Sequence, residues 1–223
     1  MVLLLLYDLN LFMENIMSIK IRKAVVNDAS FLAQMILQSS RAGKKEGIFD
    51  LVYQAKDDKA LLTFIEKLTQ ATVKNHCHYD NFLIAEVDGK SVGTLCSYEP
   101  RIATKQAFID ALIDSGALEN VSEILEVVYS CDFNLNNRTL MFDFMEELEG
   151  FIDVGVLKAL MQKSLLTARL KGYRIAQAIV EIGSLETILF YKKLGFKQVE
   201  EKECELYRER FGRIGLTLLA IEF

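Results

Sequence analysis

From Ile19 to Val26 apolar and polar positions alternate (I-K-I-R-K-A-V-V), the two-residue period of a strand with one buried face. Asn27-Asp28 then offers a helix cap, and FLAQMILQSS behind it repeats its apolar residues at helical spacing. Gly43 to Gly47 reads as a polar, basic loop, and Asp57-Asp58 caps a second amphipathic helix, KALLTFIEKLTQ. NFLIAEV and SVGTLCSYE are strand-like runs joined by Asp88-Gly89-Lys90. Asp-Gly between two such runs is a hairpin signal, because it suits the tight turn whose twist matches paired strands. From Arg101 to Cys131 the period turns helical again, as two short helices broken near Ser115-Gly116. Leu140 to Met145 predicts a fourth strand, Leu157 to Leu170 a helix ended by Gly172, and Arg174 to Ile182 a fifth strand. Leu185 to Leu194 is a short helix closed by Gly195, and the remainder reads as two terminal strands around Phe211-Gly212.

The resulting order, β-α-α-β-β-(αα)-β-α-β-α-β-β, is that of an α/β domain with a mixed sheet, since the hairpin is necessarily antiparallel. Proline occurs once and no Gly/Ser/Pro-rich stretch divides the chain, so residues 17–223 are expected to form one domain with a helical insertion at about 101–138. Residues 1–16 are of uncertain status. Their apolar core resembles a signal h-region, but no Lys or Arg precedes it and Asp8 interrupts it. A start codon assigned too early, with Met17 as the true beginning, is the preferred account. The alternative is an added strand or helix, apolar enough to support a homodimer.

Charge and cysteines narrow the partners. The formal net charge of −5 argues against nucleic acid, which needs a dense basic face. No apolar run reaches the length of a bilayer span, so no membrane partner is expected. Cys77, Cys96, Cys131 and Cys204 lie far apart without a CxxC pair, which fits free thiols in a reducing cytoplasm. His76-Cys77-His78 is the one histidine cluster; lacking a second ligand pair, it reads as a polar loop and not as a metal site. Arg41, Lys44 and Lys45 read as a solvated loop, with a role in gating substrate as the alternative.

Candidate chemistry concentrates between Leu140 and Phe196, where strand, tight loop, helix, strand and short helix follow one another. Unpaired N–H groups at a helix start form a ready anion site. Gly155 falls at that junction, where a missing side chain lets a ligand approach the backbone; it also reads simply as a turn glycine.

The spacing from Gly155 to Lys171-Gly172, then a strand, then Tyr191-Lys192-Lys193-Leu194-Gly195-Phe196, resembles the GNAT superfamily of N-acetyltransferases. In that family a Q/R-x-x-G-x-G/A loop grips the coenzyme A pyrophosphate and a later segment ends in Y-x-x-x-G-F, here YKKLGF. The terminal segment ELYRERFGRIGLTLL and the two inserted helices resemble a subgroup with a helical insertion between the third and fourth strands. The resemblance implies a GNAT-like acyl-CoA N-acyltransferase fold, with a mixed, mostly antiparallel sheet flanked by helices. It implies an enzyme moving acetyl from acetyl-CoA to a primary amine on a small molecule or a protein. Acid near the cleft favours a cationic acceptor. By the same resemblance acetyl-CoA meets Met145, Glu146, Glu147, Ile152, Asp153, Val154, Gly155, Val156, Leu157, Lys158, Ser184 and Tyr191.

The family's general acid falls on Tyr191, a phenol neutral at pH 7 that can donate to a departing thiolate. Its plainer reading is an aromatic packed on a short helix with its hydroxyl at the surface. Asp143 and Glu146 are candidate proton acceptors, with Glu99 behind them. Asp143 is expected to share a strand face with Met141 and Met145. A bulge around Met145 to Glu147 would free a backbone N–H for the oxyanion.

The loop departs from the family pattern. Ile152 stands where Gln or Arg is usual, Leu157 where Gly or Ala is, and Asp153 and Val154 where a glycine and a base are common. Glu146, Glu147 and Glu149 stand just upstream, and Ser184 replaces a frequent Asn. Backbone donors and Lys158 remain. A second reading is therefore a GNAT-fold binding or regulatory protein without catalysis. A third uses a longer acyl-CoA, with Leu157 and the methionines lining a greasier pocket.

Overall fold

The computed structural model describes residues 18–135 and 139–223, with the side chain of Asp153 excepted. Residues 1–16, read above as an extension or a mis-assigned start, lie outside the described residues.

Seven strands form one sheet in the order β1-β2-β3-β4-β5-β7-β6. They are β1 (Ile19–Lys23), β2 (Phe82–Val87), β3 (Lys90–Tyr98), β4 (Leu140–Glu147), β5 (Ile175–Glu181), β6 (Lys197–Glu203) and β7 (Gly215–Glu222). Every pairing is antiparallel except β4 with β5. The β2–β3 hairpin turns at Asp88-Gly89, as the dipeptide predicts.

Three helices follow β1: α1 (Ala29–Arg41), α2 (Ile48–Tyr53) and α3 (Asp58–Thr69). Asp57 caps α3, accepting the Ala60 N–H at 2.7 Å. Asp28 instead spends its carboxylate on Arg22 and on the Val25 N–H. Between β3 and β4 lie α4 (Lys105–Ser115) and α5 (Val121–Tyr129), the two short helices the sequence predicts there. The helix α6 (Val156–Leu170) joins β4 to β5, and α7 (Leu185–Lys193) follows β5.

Two helices were not legible. The segment after the Gly43–Gly47 loop coils into α2, and α8 (Glu205–Phe211) separates β6 from β7 where two bare strands are expected. Both are under two turns long and take their stability from packing, so Phe49 and Tyr207 are buried.

Alternate residues of β2 feed two cores. Phe82 and Ile84 join a cluster with α1 to α5, while Ala85 and Val87 join one with α6 and α7. The sheet is thus buried on both faces. Gly93 on β3 sets how closely α6 descends, since a Cβ there would lie 2.6 Å from Val156 Cγ1.

Candidate functional site

Strand β4 pairs with β5 only from Leu140 to Phe142, opposite Ala176 to Ala178. Beyond that point β4 stays on β3 as far as Glu147, and β5 stays on β7 as far as Glu181. The two strands part, and the sheet opens at its centre.

A bulge lies at the opening. Thr94 pairs with Glu146 and Cys96 with Asp143, so Leu95 faces two residues of β4, Phe144 and Met145. Phe144 takes φ +43°. Its N–H donates to Asp143 Oδ1 at 2.8 Å, and its carbonyl accepts from Thr94 Oγ1 at 3.1 Å. The extra residue breaks the two-residue period. Met141 and Asp143 line a cavity on the α1–α5 face, but Met145 packs with the α6 and α7 cluster. The expectation that Met145 shares the face of Asp143 fails for this reason.

Past β4 the chain takes a 3₁₀ turn, Glu149–Val154, and enters α6 at Gly155 with φ +88°. Nothing lies within 4 Å of a Cβ built on Gly155, so its dihedral requires glycine and the space beside it is open. Val156 is fully buried, Val154 and Leu157 pack partly against the core, and Lys158 is exposed. Ile152 is 59% exposed, an apolar side chain where a polar one would meet an anion. Ser184 caps α7 without a side-chain hydrogen bond.

The YKKLGF segment has a local physical cause. The Phe196 N–H donates to the Tyr191 carbonyl at 3.1 Å and the Gly195 N–H to the Lys192 carbonyl at 3.0 Å. Gly195 sits at φ +97°. This is the Schellman closure of a helix, completed by apolar contact between its two ends. Here that contact is Phe196 against Tyr191, edge on, with centroids 4.9 Å apart.

Tyr191 is 3% exposed, its ring packed against Phe190 and Phe196. Burial raises its pKa above the ordinary value, and the Asp143 carboxylate raises it further. Asp143 exerts the same effect on Cys77, Cys96 and Tyr98. Its own pKa is pushed up to about 6 by desolvation, against the pull of the Phe144 N–H.

The other predicted acids sit elsewhere. Glu146 turns to α1, where Gln38 Nε2 donates to it at 2.9 Å, and burial raises its pKa. The backbone carbonyl of Glu147 also accepts from Gln38. Glu99 accepts from the Tyr173 hydroxyl at 2.6 Å and from Arg101, which hold its pKa low, and it does not line the cavity.

The cavity beside Asp143 measures about 490 Å³. Its walls come from the loop after α1, from α2, α4 and α5, from β4 and β5, and from α8. Ten of its twenty-five described lining residues carry aromatic rings. Two residues of this wall contradict the sequence reading. His76 is no polar-loop residue: its ring lies 4.2 Å from that of Phe108 and 5.8 Å from that of Phe144, and burial depresses its pKa to about 4. Lys44 is no solvated lysine: its side chain is 9% exposed and pairs with Glu181, which also accepts from Tyr207 at 2.8 Å and meets Arg213 at 3.2 Å. Arg41, from the same supposedly solvated loop, grips Asp50 and Asp58. No local pattern announces either residue, because folding alone brings these loops to β4. Among the described residues no three metal-binding side chains converge, and all four cysteines are free and buried.

The fold is shared with solved N-acetyltransferases of the GNAT family. An N-acetyltransferase from Staphylococcus aureus Mu50 matches with a TM-score of 0.68 at 17% identity, over 91% of this chain and 100% of its own. A second acetyltransferase matches at 0.67 and 16%, over 91% and 98%. PaiA N-acetyltransferase from Thermoplasma acidophilum, solved with coenzyme A, matches at 0.53 and 15%, over 93% and 100%. No family model and no curated protein matches the sequence. Among the described residues no helix is long and apolar enough to cross a membrane.

Proposed function

We propose that the protein transfers an acetyl group from acetyl-CoA to a primary amine, with Asp143 as proton acceptor and Tyr191 as proton donor. The observation that supports this reading is the opening of the sheet beyond Phe142, on the strand that brings Asp143 to the cavity wall, while Tyr191 packs in the α6–α7 cluster and does not line that cavity. The open space at Gly155 and the unpaired N–H groups of the first turn of α6 suit a pyrophosphate. Lys158 adds one cation nearby, whereas Ile152 adds none and the glutamates oppose. The backbone fits the group and the side chains weaken the grip. The reading assigns Met145, Glu147 and Val154 to Leu157 to the cofactor site, together with Ser184 and Tyr191.

Acetyl-CoA supplies an activated thioester carbonyl. A neutral amine is the nucleophile, so the ammonium must first lose a proton. Asp143, with a pKa near 6, is ionised at neutral pH and stands at the cavity wall to accept it. Tyr191 keeps its proton at neutral pH and so offers a donor to sulfur as the thiolate leaves. The bulge at Phe144 and Met145 interrupts the ladder where a freed N–H would meet the oxyanion.

Calorimetric titration with acetyl-CoA tests the reading. Heat at sub-millimolar concentration supports it, and its absence favours the non-catalytic reading that the acidic loop raises. Tyr191→Phe is expected to lower turnover at least tenfold while leaving acetyl-CoA affinity within twofold. An unchanged rate would remove Tyr191 from the mechanism.

A further inference from the structure

Among the described residues the charges lining the cavity do not balance internally. Lys44 is paired with Glu181, and Lys105 with Asp132. Lys105 also lies 4.4 Å over the Tyr129 ring. His76 is neutral at physiological pH. Asp143 is the remaining charge, and among the described residues no cation pairs with it; its one hydrogen bond is from its neighbour's N–H. An anion held against apolar walls raises the affinity of the space beside it for a cation.

The walls fix the rest of the ligand. Phe49, His76, Tyr98, Phe108 and Phe144 line the cavity, and aromatic rings suit both an apolar body and an ammonium. Among the described residues no unpaired cation lines the cavity to receive a carboxylate, and no second free acid waits for another ammonium. Helices α4 and α5 supply one side of the wall through Lys105, Phe108, Leu125 and Val128, and the space they help bound is of small-molecule size.

We propose that the acceptor is a small amine with a single positive charge, an aromatic or similarly bulky apolar body and no carboxylate, its ammonium held by Asp143. This rests on the acetyl-transfer reading for the reaction but not for the binding.

The test titrates the full-length protein, without coenzyme A, with phenethylamine, spermidine, phenylalanine and butylamine, and then assays acetyl transfer to each. Phenethylamine is expected to bind at least tenfold more tightly than spermidine or phenylalanine. Asp143→Asn should cost at least tenfold for phenethylamine. Val128→Trp, which narrows the chamber, should weaken phenethylamine more than butylamine. Equal or tighter binding of spermidine or phenylalanine overturns the proposal. So does phenethylamine binding that ignores both substitutions, or octanoyl-CoA in place of the amine as the ligand whose affinity Val128→Trp reduces. Acetylation of spermidine alone would sink this inference and leave acetyl transfer standing. Phenethylamine binding through Asp143 without heat from acetyl-CoA would do the reverse.

Discussion

Asp143 is held in its charged form at a cost to the fold, and removing that charge should stabilise the protein. Asp143→Asn keeps the geometry, because an amide oxygen can still accept the Phe144 N–H that Oδ1 now accepts at 2.8 Å. It removes the ionisation that burial opposes. A rise in pKa from an ordinary 3.8 to about 6 is worth about 3 kcal/mol at 1.36 kcal/mol per pH unit. The sign follows from proton uptake. Between pH 4 and 6 the folded protein holds a proton on Asp143 that the unfolded chain has released, so this group's contribution to stability falls as pH rises through that window. Above pH 6 both states are ionised and the loss is complete. The asparagine variant should therefore exceed the parent by about 3 kcal/mol at pH 8 and by only about 1 kcal/mol at pH 4.5. For a chain of this size each kcal/mol moves the melting temperature by roughly 2–4 °C. Thermal melts of parent and variant at the two pH values measure the gap directly, since titrations elsewhere cancel in the difference. A variant no more stable than the parent at pH 8, or a gap that ignores pH, would refute the reasoning.

The same titration should appear in catalysis: turnover is expected to climb through pH 6 on the acid side, and that limb should vanish in Asp143→Asn. Gly93→Ala places a Cβ 2.6 Å from Val156 Cγ1 and should cost about 1–3 kcal/mol in denaturant unfolding. Combined with Val156→Ala, the loss should fall short of the sum of the two single losses; strict additivity would separate the sites. Ile152→Arg puts a cation on an exposed loop position and should tighten acetyl-CoA about fivefold at low salt, an effect that salt erases. Unchanged calorimetric affinity at low salt would place the pyrophosphate elsewhere.

What the sequence disclosed was whatever a few neighbouring residues decide. Asp88-Gly89 makes a turn by itself, Asp57 caps α3 by itself, and Gly195 ends α7 by itself. The bulge at Phe144 was expected in kind but not in its effect on Met145, because its position depends on how β3 and β4 align. The cavity was out of reach for the same reason. His76, Lys44 and Asp143 are separated by long stretches of chain, and although Asp143 was legible as a candidate acid on its strand, His76 and Lys44 sit in local patterns that read as loop. Tyr191 was placed correctly on its helix, yet its burial comes from Phe190 and Phe196 packing against it under the sheet.

The closure of α7 changes what YKKLGF testifies to. Tyr191, Gly195 and Phe196 are bound to one another by a helix ending and a ring contact that need no substrate. A descendant that lost its chemistry would have every thermodynamic reason to retain all three. Asp143 carries the opposite incentive, since the fold is better off without its charge. Along a lineage drifting out of function the tyrosine would persist as architecture while the aspartate was shed, so an intact Asp143 is the more telling mark of a working site.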